Sequence, residues 1–253
     1  MNKYTLDMMS EYRMAKRGFF PFWKDLLDAI DKVKKIDTIL EFGVGSGFKQ
    51  TGWSLIYPDA QVVGIERFDP VNDSPETELF CGYPTPQECI EAYNLANHVY
   101  TISQSLIQEF NIKNLKLYHG YDGYDPKTVD MVITNHGKFD IVIDDAHTRW
   151  EYTQHSWKLW KRALKYDGIY VSETPDGNGT EQWRAISEQE HISNMKWLAN
   201  YYGLVVFNFK KFAVQDDPEW ASNYLAVGRL DRQMYRDVLL KYQDCIVAGE
   251  NNI

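Results

Sequence analysis

The chain has 253 residues, room for one large α/β domain with an insertion or appendage and a sizeable core. A formal net charge of −9 argues against DNA or another polyanion, so no nucleic-acid partner is expected. Cys81, Cys89 and Cys245 lack the spacing of a disulfide framework or zinc knuckle, and no apolar run reaches membrane-spanning length, so no membrane partner is expected.

No signal peptide opens the sequence, so the cytoplasm is the expected compartment. The first element is a helix over 19–33, where Phe22, Leu26, Leu27, Ile30 and Val33 fall at helical spacing. Residues 1–35 are therefore read as an N-terminal helical arm or lid and 36–253 as the main domain. Before that helix, residues 12–20 mix cations with aromatics, as would a solvated arm or a flap over a ligand.

Thr38 to Phe42 reads as a buried strand that carries Glu41, and Gly43, Gly45 and Gly47 form the turn leaving it. Such a turn lets a ligand rest on bare backbone at the carboxyl end of the strand. The spacing is neither G-x-G-x-x-G nor a Walker loop, which disfavours a pyrophosphate site and a dehydrogenase. The E-x-G-x-G-x-G pattern resembles motif I of the class I S-adenosylmethionine (SAM) methyltransferases. That resemblance implies SAM as cofactor, with Glu41, Gly43, Gly45 and Gly47 in its binding site.

A helix over 48–57 and a second strand, Gln61 to Glu66, follow. Glu66 ends that strand about 20 residues after the glycine turn, where an acid can accept from both hydroxyls of a ribose. Pairing with Arg67 at a solvated strand end is the plainer alternative. Residues 69–110 are read as an insertion or lid, with an ordinary long crossover as the alternative, and their second part, 87–110, is helical. Leu115 to His119 is the third strand. Tyr121 and Asp122 come next, where methyltransferases recognise adenine, although Asp-Gly also favours a plain turn.

Phe139 to Asp144 is the fourth strand and runs into Asp144-Asp145-Ala146-His147. A helix over 152–164, a fifth strand from Gly168 to Glu173, a helix over 188–202 and two closing strands, 204–212 and 223–229, complete the order. Strand-helix alternation predicts a parallel sheet. The expected fold class is α/β, a Rossmann-like class I methyltransferase fold. Its sheet would be seven-stranded and mostly parallel, with a terminal antiparallel hairpin and helices on both faces.

Adjacent carboxylates at a strand end repel unless a cation or donors lie between them. Asp144, Asp145 and Glu173 end neighbouring strands, with Asp176 just beyond, and oxygen-rich groups of this kind suit Mg²⁺ or another divalent cation. His147 has the chemistry of a general base near neutral pH. Capping of a helix N-terminus by the two Asp is the competing explanation.

The fourth- and fifth-strand segments also resemble the macrocin-type sugar O-methyltransferases, which carry D-D-G-S-H after strand four and E-D after strand five. The resemblance implies Asp144 or Asp145 and Glu173 as metal ligands, Asp144 also at the cofactor and in catalysis, and His147 as catalytic base. It implies a small-molecule acceptor, a sugar or sugar conjugate. Two departures stand out: the loop is one residue shorter, and Thr174 replaces the second acid. Metal-independent N- or carboxyl-methylation and a non-catalytic SAM-fold binding protein are the rival readings. Oligomeric state is open, a homo-oligomer included.

Overall fold

The computed structural model describes residues 20–45, 47–77, 85–146, 150–173, 188–209, 224–231 and 233–249. Its strands are β1 (Thr38–Phe42), β2 (Gln61–Glu66), β3 (Leu115–His119), β4 (Phe139–Asp144), β5 (Leu164–Glu173), β6 (Leu204–Asn208), β7 (Tyr224–Gly228) and β8 (Ile246–Ala248). Its helices are α1 (Phe20–Val33), α2 (Phe48–Ile56), α3 (Pro86–Glu109), α4 (Pro126–His136), α5 (Trp150–Trp160), α6 (Glu188–Tyr202) and α7 (Arg236–Lys241).

The strands form one sheet in the order β3-β2-β1-β4-β5-β7-β6-β8. Neighbours from β3 through β5 pair in parallel, and β7 runs antiparallel between β5 and β6. The expected seven strands become eight. The additional strand, β8, pairs with β6 at the sheet edge, and its three residues are too short to give a strand pattern.

All six residues of β4 are buried, as a central strand covered on both faces requires. One core layer packs Phe22, Trp23, Leu26 and Ile30 of α1 and Val238 of α7 against Ile39, Ile141 and Val171. The other packs Val129 of α4, Trp160 of α5 and Met195 of α6 against Leu40, Val142 and Tyr170. The segment read as an arm thus divides: residues 1–19 lie outside the described residues, and α1 contributes to the core.

Helix α3 fills the second half of the expected insertion and carries the chain from β2 to its parallel neighbour β3. Thr85 accepts from Glu88 N while the Glu88 carboxylate accepts from Thr85 N, a reciprocal cap that fixes its start. Only Ser103 of this helix is buried. Helix α4 lies between β3 and β4, where the sequence reading has no element. Its signals are local: Asp125 caps it by accepting from Lys127 N, and Pro126 opens its first turn.

Candidate active site

The parallel strands bring the carboxyl ends of β1, β2, β3 and β4 to one edge of the sheet, where the loops that follow them line a crevice. It has a volume of about 320 Å³ and is lined by Gly43, Gly45, Ile65, Glu66, Arg67, Tyr121, Asp122, Gly123, Tyr124, Asp145 and Ala146. The glycine turn shapes one wall. Gly43 N donates to Ile65 O at 2.9 Å, which ties the turn to β2. Gly45 has no atom within 4 Å of the place its Cβ would occupy, so its backbone faces open space. Gly47 instead packs against the buried Ser103 of α3 and does not line the crevice.

Glu66 lies opposite the turn. Its Oε2 accepts from Gly45 N at 3.0 Å and its Oε1 from Phe68 N at 3.3 Å. These bonds fix the carboxylate at the crevice wall. Asp122 is held by its own turn, accepting from Tyr124 N at 2.8 Å, and Tyr121 stands beside it, substantially exposed. The turn explanation and the crevice position therefore hold together for Asp122. Arg67, considered from sequence only as a pairing partner of Glu66, and Tyr124, which no motif marks, also line the crevice.

The two adjacent aspartates part company. Alternation along β4 sends Asp144 to one face of the sheet, where it is fully buried. Its carboxylate accepts from Tyr124 Oη at 2.9 Å, Ser156 Oγ at 2.5 Å and Tyr170 Oη at 3.1 Å. Burial pushes its pKa up to about 6, while the hydroxyl donors pull the other way. Asp144 is thus enclosed behind the crevice wall, outside the crevice lining and away from Glu173.

Asp145 turns to the opposite face and meets Glu41 and Glu173 around the Lys49 ammonium. The Nζ lies 2.5 Å from Glu41 Oε1, 2.9 Å from Asp145 Oδ2 and 3.1 Å from Glu173 Oε2. Two indoles complete the cluster: Trp53 Nε1 donates to Glu41 Oε2 at 3.0 Å, and Trp23 Nε1 to Glu173 Oε1 at 3.2 Å. Burial pushes the Glu41 carboxyl up to about 7, with the neighbouring Asp145 and Glu173 charges acting in the same direction against Lys49. Burial alone would favour neutral lysine, but the three carboxylates outweigh it and hold the ammonium above the ordinary lysine range.

Lys49 was missed from sequence, although a signal exists. Lys49 and Trp53 are four apart on α2 and so share a helix face, directly after the glycine turn. Nothing in the sequence links Trp23 to Glu173, 150 positions away.

The residues implied as metal ligands fit a divalent cation poorly. The position between Asp145 and Glu173 holds an ammonium, and Asp144 faces elsewhere. Among the described residues, no three His, Cys, Asp or Glu side chains group as a metal site. His147, Thr174 and Asp176 lie outside the described residues.

No family model and no curated protein matches the sequence. Similar solved structures include a Staphylococcus aureus protein proposed to be a caffeoyl-CoA O-methyltransferase. It is 14% identical, with 89% of this chain and 96% of that one covered and a TM-score of 0.49. TomG from Streptomyces achromogenes, an O-methyltransferase of tomaymycin synthesis solved with SAM, is 14% identical over 90% of this chain and 89% of its own, at a TM-score of 0.45. MycE, from the mycinamycin pathway and solved with Mg and S-adenosylhomocysteine, is 17% identical over 88% of this chain and 48% of its own, at 0.44. The fold is the Rossmann-like one of class I methyltransferases, argued from the strand order and the antiparallel β7. Among the described residues, no helix is long and apolar enough to cross a membrane.

Proposed function

We propose that the chain is a SAM-dependent methyltransferase acting on an oxygen of a small polyhydroxylated, sugar-like acceptor. The observation that carries this reading is the convergence of the Gly43–Gly45 turn and the fixed Glu66 carboxylate on one crevice. The turn would receive the methionine part of SAM, Glu66 the ribose hydroxyls, and Tyr121 with Asp122 the adenine. Methyl transfer forms an acceptor O–CH₃ bond as the sulfonium C–S bond breaks, releasing neutral S-adenosylhomocysteine. The leaving group is already good, so alignment of oxygen, methyl and sulfur is the main task of the protein.

The acceptor proton needs a base, and the proposal assigns it to His147, three residues after Asp144 in sequence. His147→Ala is expected to keep SAM affinity and lower turnover by about 10²–10⁴. The chemistry needs no metal at the carboxylate cluster, whose centre the Lys49 ammonium occupies. That same observation favours the metal-independent version of the chemistry.

Calorimetry with SAM and with NAD tests the cofactor assignment. SAM should bind and NAD should not. Glu66→Ala should weaken SAM by about tenfold or more, the loss of charged hydrogen bonds to two hydroxyls. Binding of NAD in preference to SAM would overturn the reading. Tight SAM binding without turnover on a broad hydroxylated panel would favour the non-catalytic alternative.

A further inference from the structure

We infer that the Lys49 ammonium is the resident cation of the Glu41–Asp145–Glu173 cluster, taking the position a divalent metal would need and positioning Asp145 at the crevice wall. The inference concerns the cluster itself and stands whether or not the crevice takes SAM.

An ammonium has three N–H donors and no acceptor. Here Nζ lies 2.5, 2.9 and 3.1 Å from oxygens of Glu41, Asp145 and Glu173, on three different strand segments, and the Asp145 contact has hydrogen-bond geometry. These are ion-pair spacings around an ammonium, whereas Mg²⁺ needs oxygens at about 2.0–2.1 Å in an octahedron. The oxygens that could turn toward a metal are also engaged. The Trp53 indole holds Glu41 Oε2 and the Trp23 indole holds Glu173 Oε1. Trp23 and Trp53 stand 5.6 Å apart, so α1 and α2 together close the outer side of the cluster.

Only Asp145 of the three acids also lines the crevice. Lys49 therefore sits one carboxylate behind the ligand space and acts through Asp145 as a positioning residue. Without a cation, three carboxylates in so small a volume would repel, and Asp145 could not be held inward. A lysine tethered to α2 supplies that cation permanently, with no dependence on metal supply. Thr174 in place of a second acid is consistent with a cluster that has no metal to complete.

The test is Mn²⁺ titration of the full chain, without SAM, followed by the electron paramagnetic resonance signal of free Mn²⁺. Wild type should take up no Mn²⁺ at the cluster. Lys49→Ala leaves the carboxylates without their ammonium and should gain uptake of one Mn²⁺ per chain. Adding Glu173→Gln should abolish that uptake. Mn²⁺ binding by wild type that Glu173→Gln removes would overturn the inference, as would a folded Lys49→Ala that takes up none. Should Lys49→Ala not fold, Lys49→Gln replaces it with the same expectation. SAM calorimetry on the wild-type sample reads the cofactor proposal separately.

Discussion

Gly43 adopts φ +87°, and a Cβ there would come within 2.5 Å of Asp145 O and 2.6 Å of Ala146 N. The β4 loop cannot retreat easily, because Asp145 N donates to Phe42 O at 3.1 Å. Gly43→Ala thus combines a left-handed backbone penalty with a backbone collision, and about 2–4 kcal/mol of stability should be lost. Gly45 also has positive φ, +53°, but open space around it. Gly45→Ala should cost only about 1 kcal/mol. Urea denaturation of the two variants separates the cases; equal losses would mean that the close approach at Gly43 does not matter. Spacing in the sequence announces all three glycines alike. Which of them faces open crevice space, and which faces a neighbouring loop or Ser103, depends on chain segments far away in sequence.

At the scale of elements, periodicity and strand-end acids were readable because they follow from local geometry. β1, β2, β4, the core of β5 and α6 all emerge where their apolar patterns place them. The third dimension decides what a strand end does. Asp144 and Asp145 are neighbours in sequence, yet pleating sends one to three hydroxyls and the other to an ammonium. At the opposite end of the parallel strands, Asp140, the second residue of β4, plays a part that no motif marks. It accepts from Asp37 N and Thr38 N at 3.0 Å each and pairs with Lys165 at 2.8 Å and Lys34 at 3.2 Å. Burial works against its charge, but these donors outweigh it and hold its pKa below the usual carboxylate value. Asp140→Ala would orphan the two backbone donors and unpair the lysines, at a cost of about 2–4 kcal/mol. Chemical denaturation should show this loss with little change in ligand affinity, since Asp140 lies at the strand end remote from the crevice.

For the whole molecule, the buried acids set the direction of its pH response. Glu41 moves from an ordinary 4.5 to about 7 in the folded chain, and Asp144 from 3.8 to about 6, both chiefly through burial. Between the ordinary and the folded values, the native state holds protons that the unfolded chain has released. Stability must then fall as pH rises through that interval. Glu41 contributes a decline between pH 4.5 and about 7, and Asp144 one between 3.8 and about 6. Asp140 works oppositely: its stabilisation is complete above 3.8 and is lost only as pH falls through its lowered folded value. The Lys49 contribution is fully present below its ordinary 10.5, so it adds no slope near neutrality. Thermal unfolding across pH 5 to 8 should therefore show a melting temperature that decreases toward pH 8. Glu41→Gln keeps one acceptor oxygen, for either the Trp53 indole or Lys49, and cannot titrate. Its curve should be flatter than wild type, most clearly just below pH 7, well above the Asp144 midpoint of about 6. An unchanged slope in Glu41→Gln would mean that Glu41 shares the cluster in its charged form throughout. The single ammonium would then be balancing three negative charges rather than two.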